Sequence, residues 1–135
     1  MKTLLLLIIL SINAFAQSEP INCDSLLFPN YIVYVTFQTM PEPIGGMDSI
    51  QSRLVYPQGA LENNIEGKVY IRLAIDSCGN QLCTRVIKGL GYGCDEEAMR
   101  LVQTAKFFPG SHMGKTRTMI VSIPIVFSLE DKKKE

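Results

Sequence analysis

The sequence predicts an α+β unit, a β-hairpin whose apolar face is covered by the helix that follows it. The stretch from Glu66 to Gly110 predicts it. Val69, Ile71, Leu73 and Ile75 alternate with Tyr70, Arg72, Ala74 and Asp76, the period-two pattern of a strand with one buried face. Ser77-Cys78-Gly79-Asn80 then supplies turn chemistry, with Gly79 free to take the positive φ of a hairpin turn. A second strand, rich in β-branched residues, runs from about Leu82 to Lys88. After Gly89, Gly91 and Gly93 a helix opens with Asp95, Glu96 and Glu97, where the helix dipole favours negative charge. Ala98, Leu101, Val102 and Ala105 continue it as one apolar stripe, with Cys94 one turn upstream on the same side. Pro109-Gly110 ends the run.

The other elements follow from the chain in order. Residues 1–16 combine Lys2, an apolar run from Leu4 to Leu10 and Ala14-Phe15-Ala16, which reads as a cleaved secretory signal peptide. A retained membrane anchor is the alternative, but Ser11 and Asn13 interrupt a run far short of the roughly 20 apolar residues a spanning helix needs. Residues 17–39 form an N-terminal segment. Its first part, with Pro20, Asn22, Pro29 and Asn30, reads as irregular. Tyr31 to Thr39 reads as an extra strand, apolar on both faces, and therefore covered twice or paired at an edge. Met40-Pro41-Glu42-Pro43-Ile44-Gly45-Gly46 is predicted to be irregular, because prolines restrict the residues before them.

Met47, Ile50 and Leu54 repeat at helical spacing and predict a short helix. Tyr56-Pro57 breaks it and starts another, with Pro57 at the first helical position, where its missing N–H costs nothing. Ala60 and Leu61 face inward, and Asn63-Asn64 ends this helix. In the last strand, Thr118 to Leu129, the residues Met119, Val121, Ile123, Ile125, Phe127 and Leu129 share one face. Ile120 and Val126 lie on the other, interrupted by Ser122, Pro124 and Ser128. Pro124 cannot donate to a ladder, so this strand belongs at an edge with the proline nitrogen outward. Such an edge is where an extended peptide can add as a further strand. Residues 130–135 read as a solvated tail of mixed charge.

Composition narrows the function. The 13 basic and 13 acidic residues balance, and no basic patch marks a nucleic-acid partner. Cys78, Cys83 and Cys94, with His112, lack the paired C-x2-C knuckles of a zinc site, and no C-x-x-C points to redox chemistry. Disulfides among Cys23, Cys78, Cys83 and Cys94 are permitted, with the pairing open. A two-residue turn puts Ala74, not Cys78, opposite Cys83, a looser turn would allow that bridge, and Cys23 can reach any partner. Cys94 reads as a core thiol. The glycines of GLGYG lead into three carboxylates that would repel a phosphate, so they read as a strand-to-helix connection. His112 reads as a surface loop residue. With no nucleophile–base pair or metal constellation, no enzyme activity and no cofactor are expected.

Taken together and in order, Met40-Pro41-Glu42-Pro43-Ile44-Gly45-Gly46, Tyr56-Pro57…Ala60, Glu66-Gly67-Lys68-Val69, Asp76…Gly79, Asp95-Glu96-Glu97-Ala98, Phe108-Pro109-Gly110 and Val121…Pro124…Phe127 resemble the C-terminal domain of TonB. The version in energy transducers of Bacteroidetes-type bacteria is the most similar, and the likeness covers residues 40–129. The resemblance implies a two-layer α+β domain, a small antiparallel sheet with helices packed on one face. It also implies a periplasmic domain that grips an extended segment of an outer-membrane TonB-dependent transporter by strand addition, in energy-coupled transport.

Carried onto this chain, the binding edge is Ile120, Val121, Ser122, Ile123, Pro124, Ile125 and Phe127. Lys115 and Arg117, before that strand, read from the residues themselves as a solvated rim, with contact to acidic residues of a bound peptide as the weaker alternative. Tyr56, Pro57, Gly67, Gly79, Asp95 and Glu97 fall in the motif's structural positions. A full transducer also has an N-terminal membrane helix and a long Pro-rich spacer, so the expectation here is a stand-alone domain. It would meet the inner-membrane motor only if the leader stays as an anchor. An edge-strand-paired homodimer without a receptor role is the other reading.

Overall fold

The alternation from Val69 to Ile75 becomes the central strand of the computed structural model, which describes residues 21–27 and 38–130. In chain order the elements are α1 (Cys23–Leu27), β1 (Glu42–Pro43), α2 (Gly46–Gln51), α3 (Gln58–Glu62), β2 (Gly67–Ile75), β3 (Gln81–Lys88), α4 (Cys94–Gln103), β4 (Phe107–Phe108), β5 (Gly110–His112), β6 (Lys115–Arg117) and β7 (Met119–Phe127). The main sheet is antiparallel with strand order β3-β2-β7, and β1–β4 and β5–β6 form two small pairs beside it. The β2–β7 register runs unbroken from Gly67 opposite Phe127 to Ile75 opposite Met119. The β2–β3 ladder shifts twice: the turn is looser than two residues, with Ile75 opposite Gln81 and the Asp76 N–H donating to the Asn80 carbonyl at 2.8 Å, and a shift between Ala74 and Ile75 then sets Ala74 opposite Cys83.

Period two carries the core. Val69, Ile71, Leu73 and Ile75 of β2 join Val121, Ile123, Ile125 and Phe127 of β7 on one face, all buried. Cys94, Ala98, Leu101 and Val102 of α4 cover them, with Ile50 of α2, Ala60 of α3 and Tyr56 of the connection between α2 and α3. Each fully buried aliphatic side chain of this layer contributes roughly 1.5–3 kcal/mol. The architecture is the α+β one the sequence implies, with α2, α3 and α4 on one face.

One short helix departs from that layering. α1 lies on the opposite face, where Leu27 is buried with Ala74 and Cys83, and Ile120 packs against them. Residues 17–30 are therefore not wholly irregular. The signal was legible in Asn22, whose side-chain oxygen accepts the Asp24 and Ser25 N–H groups at 3.0 and 3.2 Å and caps the helix. A Cys23–Cys83 disulfide fastens α1 to β3, with a Cα–Cα distance of 5.6 Å, and Arg85 pairs with Asp24 at 2.8 Å. Cys94 is buried with its thiol free, and Cys78 is an exposed free thiol.

Other boundaries also move. α4 stops at Gln103, and the chain then makes β4, β5 and β6. Glu42-Pro43 pairs with β4, so the Met40–Gly46 stretch contains a strand pair where irregular backbone was expected. Pro57 is the N-cap of α3, extended at φ −63° and ψ 141°, and not its first helical residue. His112 ends β5, half-buried, rather than sitting in a loop. Of the strand expected over 31–39, residues 31–37 lie outside the described residues, as do the expected leader 1–16 and tail residues 131–135. Thr39 forms an isolated bridge to Ser111.

Two carboxylates fasten the loops. Asp76 accepts the Cys78 and Asn80 N–H groups at 2.8 Å each, closing the turn around Gly79, whose φ is +87°. A Cβ at Gly79 would collide with the Phe107 carbonyl oxygen, so only glycine lets the turn rest on β4. Glu97 accepts the Val55 N–H at 2.7 Å and two hydrogen bonds from Arg100, and Arg100 also donates to the Arg53 carbonyl. The α2–α3 connection is thus clasped to α4. The Arg100 hydrogen bonds lower the Glu97 pKa, partial burial opposes them, and the Val55 N–H adds to the lowering. The Asn80 N–H does the same, as the largest cause, for Asp76.

Two outcomes are expected. Folded Glu97 and Asp76 hold lower pKa values than the unfolded chain, so their stabilisation is present above the ordinary carboxylate range of about 4 and is lost as pH falls through the lowered values. Denaturant midpoints should drop on acidification below about pH 4. Glu97→Gln should cost about 1–2 kcal/mol at neutral pH and make that drop shallower, whereas an equally steep drop would contradict the clasp. Removing the disulfide with Cys23→Ser should cost about 2–4 kcal/mol at most and abolish amide-exchange protection at Leu26, which bonds to the Asn22 carbonyl. Protection in α4 should persist. Equal loss in α4 would mean that the two faces are one cooperative layer.

Candidate functional site

β7 forms one border of the main sheet, so half of its backbone groups point away from β2. The parity follows from Val126. Its N–H donates to Gln51 Oε1 at 3.1 Å, and its carbonyl accepts from Gln51 Nε2, so both groups of Val126 face outward. By the alternation of an antiparallel ladder, Pro124, Ser122 and Ile120 face outward too, while Val121, Ile123, Ile125 and Phe127 turn their backbone groups to β2. The expectation that the Pro124 nitrogen points outward follows from the same register.

Ser122 and Val126 are exposed, and Ile120 and Pro124 are half-buried. Among the described residues no strand pairs with this border. Toward the outside, Ile120 and Ser122 each carry a main-chain donor and an acceptor and Pro124 an acceptor alone, none of them in a strand pairing among the described residues. At Val126 the pair is already taken by Gln51. Behind the edge, Arg72 Nε reaches Ser122 Oγ at 3.4 Å and a guanidinium nitrogen reaches the Leu27 carbonyl at 3.5 Å.

The apolar side chains of the same strand hold it rigid. Tyr56 is buried against Phe127 in an edge-to-face contact, ring centroids 5.6 Å apart at 86°, and its hydroxyl donates to the Ile65 carbonyl. Burial, then the nearby Cys94 and Glu66, pushes the Tyr56 pKa up and keeps the phenol a donor. Tyr56 and Pro57 therefore sit where α3 meets the end of β7. Gly67 opens β2 with φ +147°, and a Cβ there would press on the Leu90 side chain at 2.8 Å.

Asp95 does more than face a helix dipole. Its carboxylate accepts the Leu90 N–H at 2.8 Å and the Gly91 N–H at 3.3 Å, which ties the GLGYG connection to the start of α4. Burial, then Asp95 and Glu96, raises the Cys94 pKa and leaves a protonated core thiol. Lys115 and Arg117 are exposed on β6, in the small pair with β5, rather than on the main sheet. All seven expected edge residues lie on β7, but only Ile120, Ser122 and Pro124 turn main-chain groups outward; Val121, Ile123, Ile125 and Phe127 turn theirs to β2 and bury their side chains, because the ladder alternates. Gln51 is a neighbour of this edge that reading the sequence missed. Nothing local marks it, because its partner, Val126, is 75 positions away and only the fold brings them together. Among the described residues no group of three or more His, Cys, Asp or Glu could hold a metal ion.

Residues 52–129 match the family described as the Gram-negative bacterial TonB protein C-terminal, which takes in β2, β3, α4 and β7 but begins just past α2. Among curated proteins none matches the chain. The matched family is transport-associated and non-enzymatic, works in the Gram-negative envelope and interacts with outer-membrane transporters. Among the described residues no helix is long and apolar enough to cross a membrane. The match spans more than half of the 135 residues, and the chain belongs to the TonB C-terminal domain family.

Proposed function

We propose that this domain binds an extended segment of an outer-membrane TonB-dependent transporter in the periplasm, by adding that segment as a strand along β7. The observation that carries the reading is the outward pair of main-chain donors and acceptors at Ile120 and Ser122, on a border that no described strand occupies. Affinity comes from main-chain hydrogen bonds, so it needs no particular side chain on the domain. The rigid backing by Val121, Ile123, Ile125 and Phe127 keeps those bonds aligned before a partner arrives, which limits the ordering cost of binding. Lys115 and Arg117 are exposed near the start of β7 and available to acidic residues of the segment. In energy-coupled transport the domain would be the gripping end, and pulling would load the edge in shear.

A titration with a synthetic TonB-box peptide tests this. Ser122→Pro removes one outward N–H at the parity Pro124 already occupies, so the fold should tolerate it and the thermal midpoint should shift by only a few degrees. Peptide affinity should fall at least about tenfold, while Ser122→Ala binds like the parent. A proline variant that binds as well as the parent would contradict strand addition. A stable homodimer in size-exclusion chromatography, blind to the peptide, would favour edge-paired copies instead.

A further inference from the structure

Gln51 ends α2 and lies across the β7 border. Its carboxamide makes both of the hydrogen bonds that a residue of an added strand would make to Val126, accepting the N–H at 3.1 Å and donating to the carbonyl. A primary amide carries the same donor and acceptor as a peptide group, so here a side chain imitates one residue of main chain. The orientation is fixed by this pairing, since the flipped amide would set a donor against the Val126 N–H and an acceptor against its carbonyl. The mimic is also anchored. Ile50, the preceding residue, is fully buried in the core, so the helix end cannot drift from the strand.

Pro124 adds a second discontinuity, because it offers a carbonyl and no N–H. Along the border from Ile120 to Val126, the complete pairs at Ile120 and Ser122 are therefore followed by a half pair and then a blocked one. Resting on the binding reading above, we infer that Gln51 is a built-in register stop. It confines the incoming segment to the Ile120–Pro124 portion of the edge, and an added strand reaches Val126 only by displacing the carboxamide. The segment's position along β7 is thereby selected by the domain, since a slip of two residues toward Phe127 runs it into Gln51. A slip of one residue would reverse which of its side chains face the sheet's two sides.

The test compares the full chain with Gln51→Ala, titrated with the same synthetic TonB-box peptide and followed by amide hydrogen exchange at Val126. Alanine is a strong helix former at a surface helix end, so the variant keeps its fold. The peptide should bind Gln51→Ala about three- to tenfold more tightly, because one further main-chain pair becomes available. The Val126 amide should be protected in the parent with or without peptide. In the variant it should exchange freely alone and become protected on binding. Unchanged or weaker binding by the variant, with the parent still binding, would overturn the register stop and leave strand addition standing. Failure of both proteins to bind the peptide would overturn both.

Discussion

The antiparallel ladder between β2 and β7 is the constraint from which the rest follows. It is the longest register among the described strands and runs without a shift, Gly67 opposite Phe127 through Ile75 opposite Met119. Because side chains alternate with period two, this one register decides two things at once. It sends Val121, Ile123, Ile125 and Phe127 into the core under α4, and it turns the backbone groups of Ile120, Ser122, Pro124 and Val126 to the outside. Packing and exposed binding capacity are therefore two faces of the same pairing. A slip of one residue would bury the polar set and expose the apolar one, so the core enforces the geometry of the edge.

Around that ladder the remaining contacts serve to hold attachments in place. The Glu97–Arg100 clasp fixes the α2–α3 connection, and with it Gln51 at the end of α2 and Tyr56 against Phe127. Asp95 ties the glycine-rich connection to α4, and Asp76 ties the hairpin turn. On the far face the Cys23–Cys83 disulfide keeps α1 over Ala74 and Ile120, a smaller apolar cluster that the short helix alone would hold weakly. The carboxylates that a sequence reading assigns to helix-dipole electrostatics are thus mostly hydrogen-bond acceptors for particular loop amides.

How much of this was legible follows from how local each signal is. The alternation in β2 and β7, the turn at Gly79, the stripe from Cys94 to Val102 and the edge position implied by Pro124 are properties of short windows, and the structure has them where the residues put them. What the windows could not hold are pairings across the chain. Cys23 with Cys83, Gln51 with Val126 and Glu97 with Val55 are separated by 60, 75 and 42 positions, and no local pattern predicts any of them. The short pairs β1–β4 and β5–β6 were missed for a related reason. Two or three residues carry no period, so their pairing is decided by what lies next to them in the fold. Asn22 is the exception, a capping residue in plain view that the surrounding prolines obscured.

The central claim is that β7 keeps its outward main-chain groups for another chain. Residue-resolved amide hydrogen exchange at Ile120 and Ser122, with and without a TonB-box peptide, tests it most directly. The account predicts fast exchange at both amides in the free domain, beside slow exchange at Val121 and Ile123, and strong protection of both once peptide is added. Slow exchange at Ile120 and Ser122 before any peptide is present would mean that the border is already occupied within the chain, and would contradict the account.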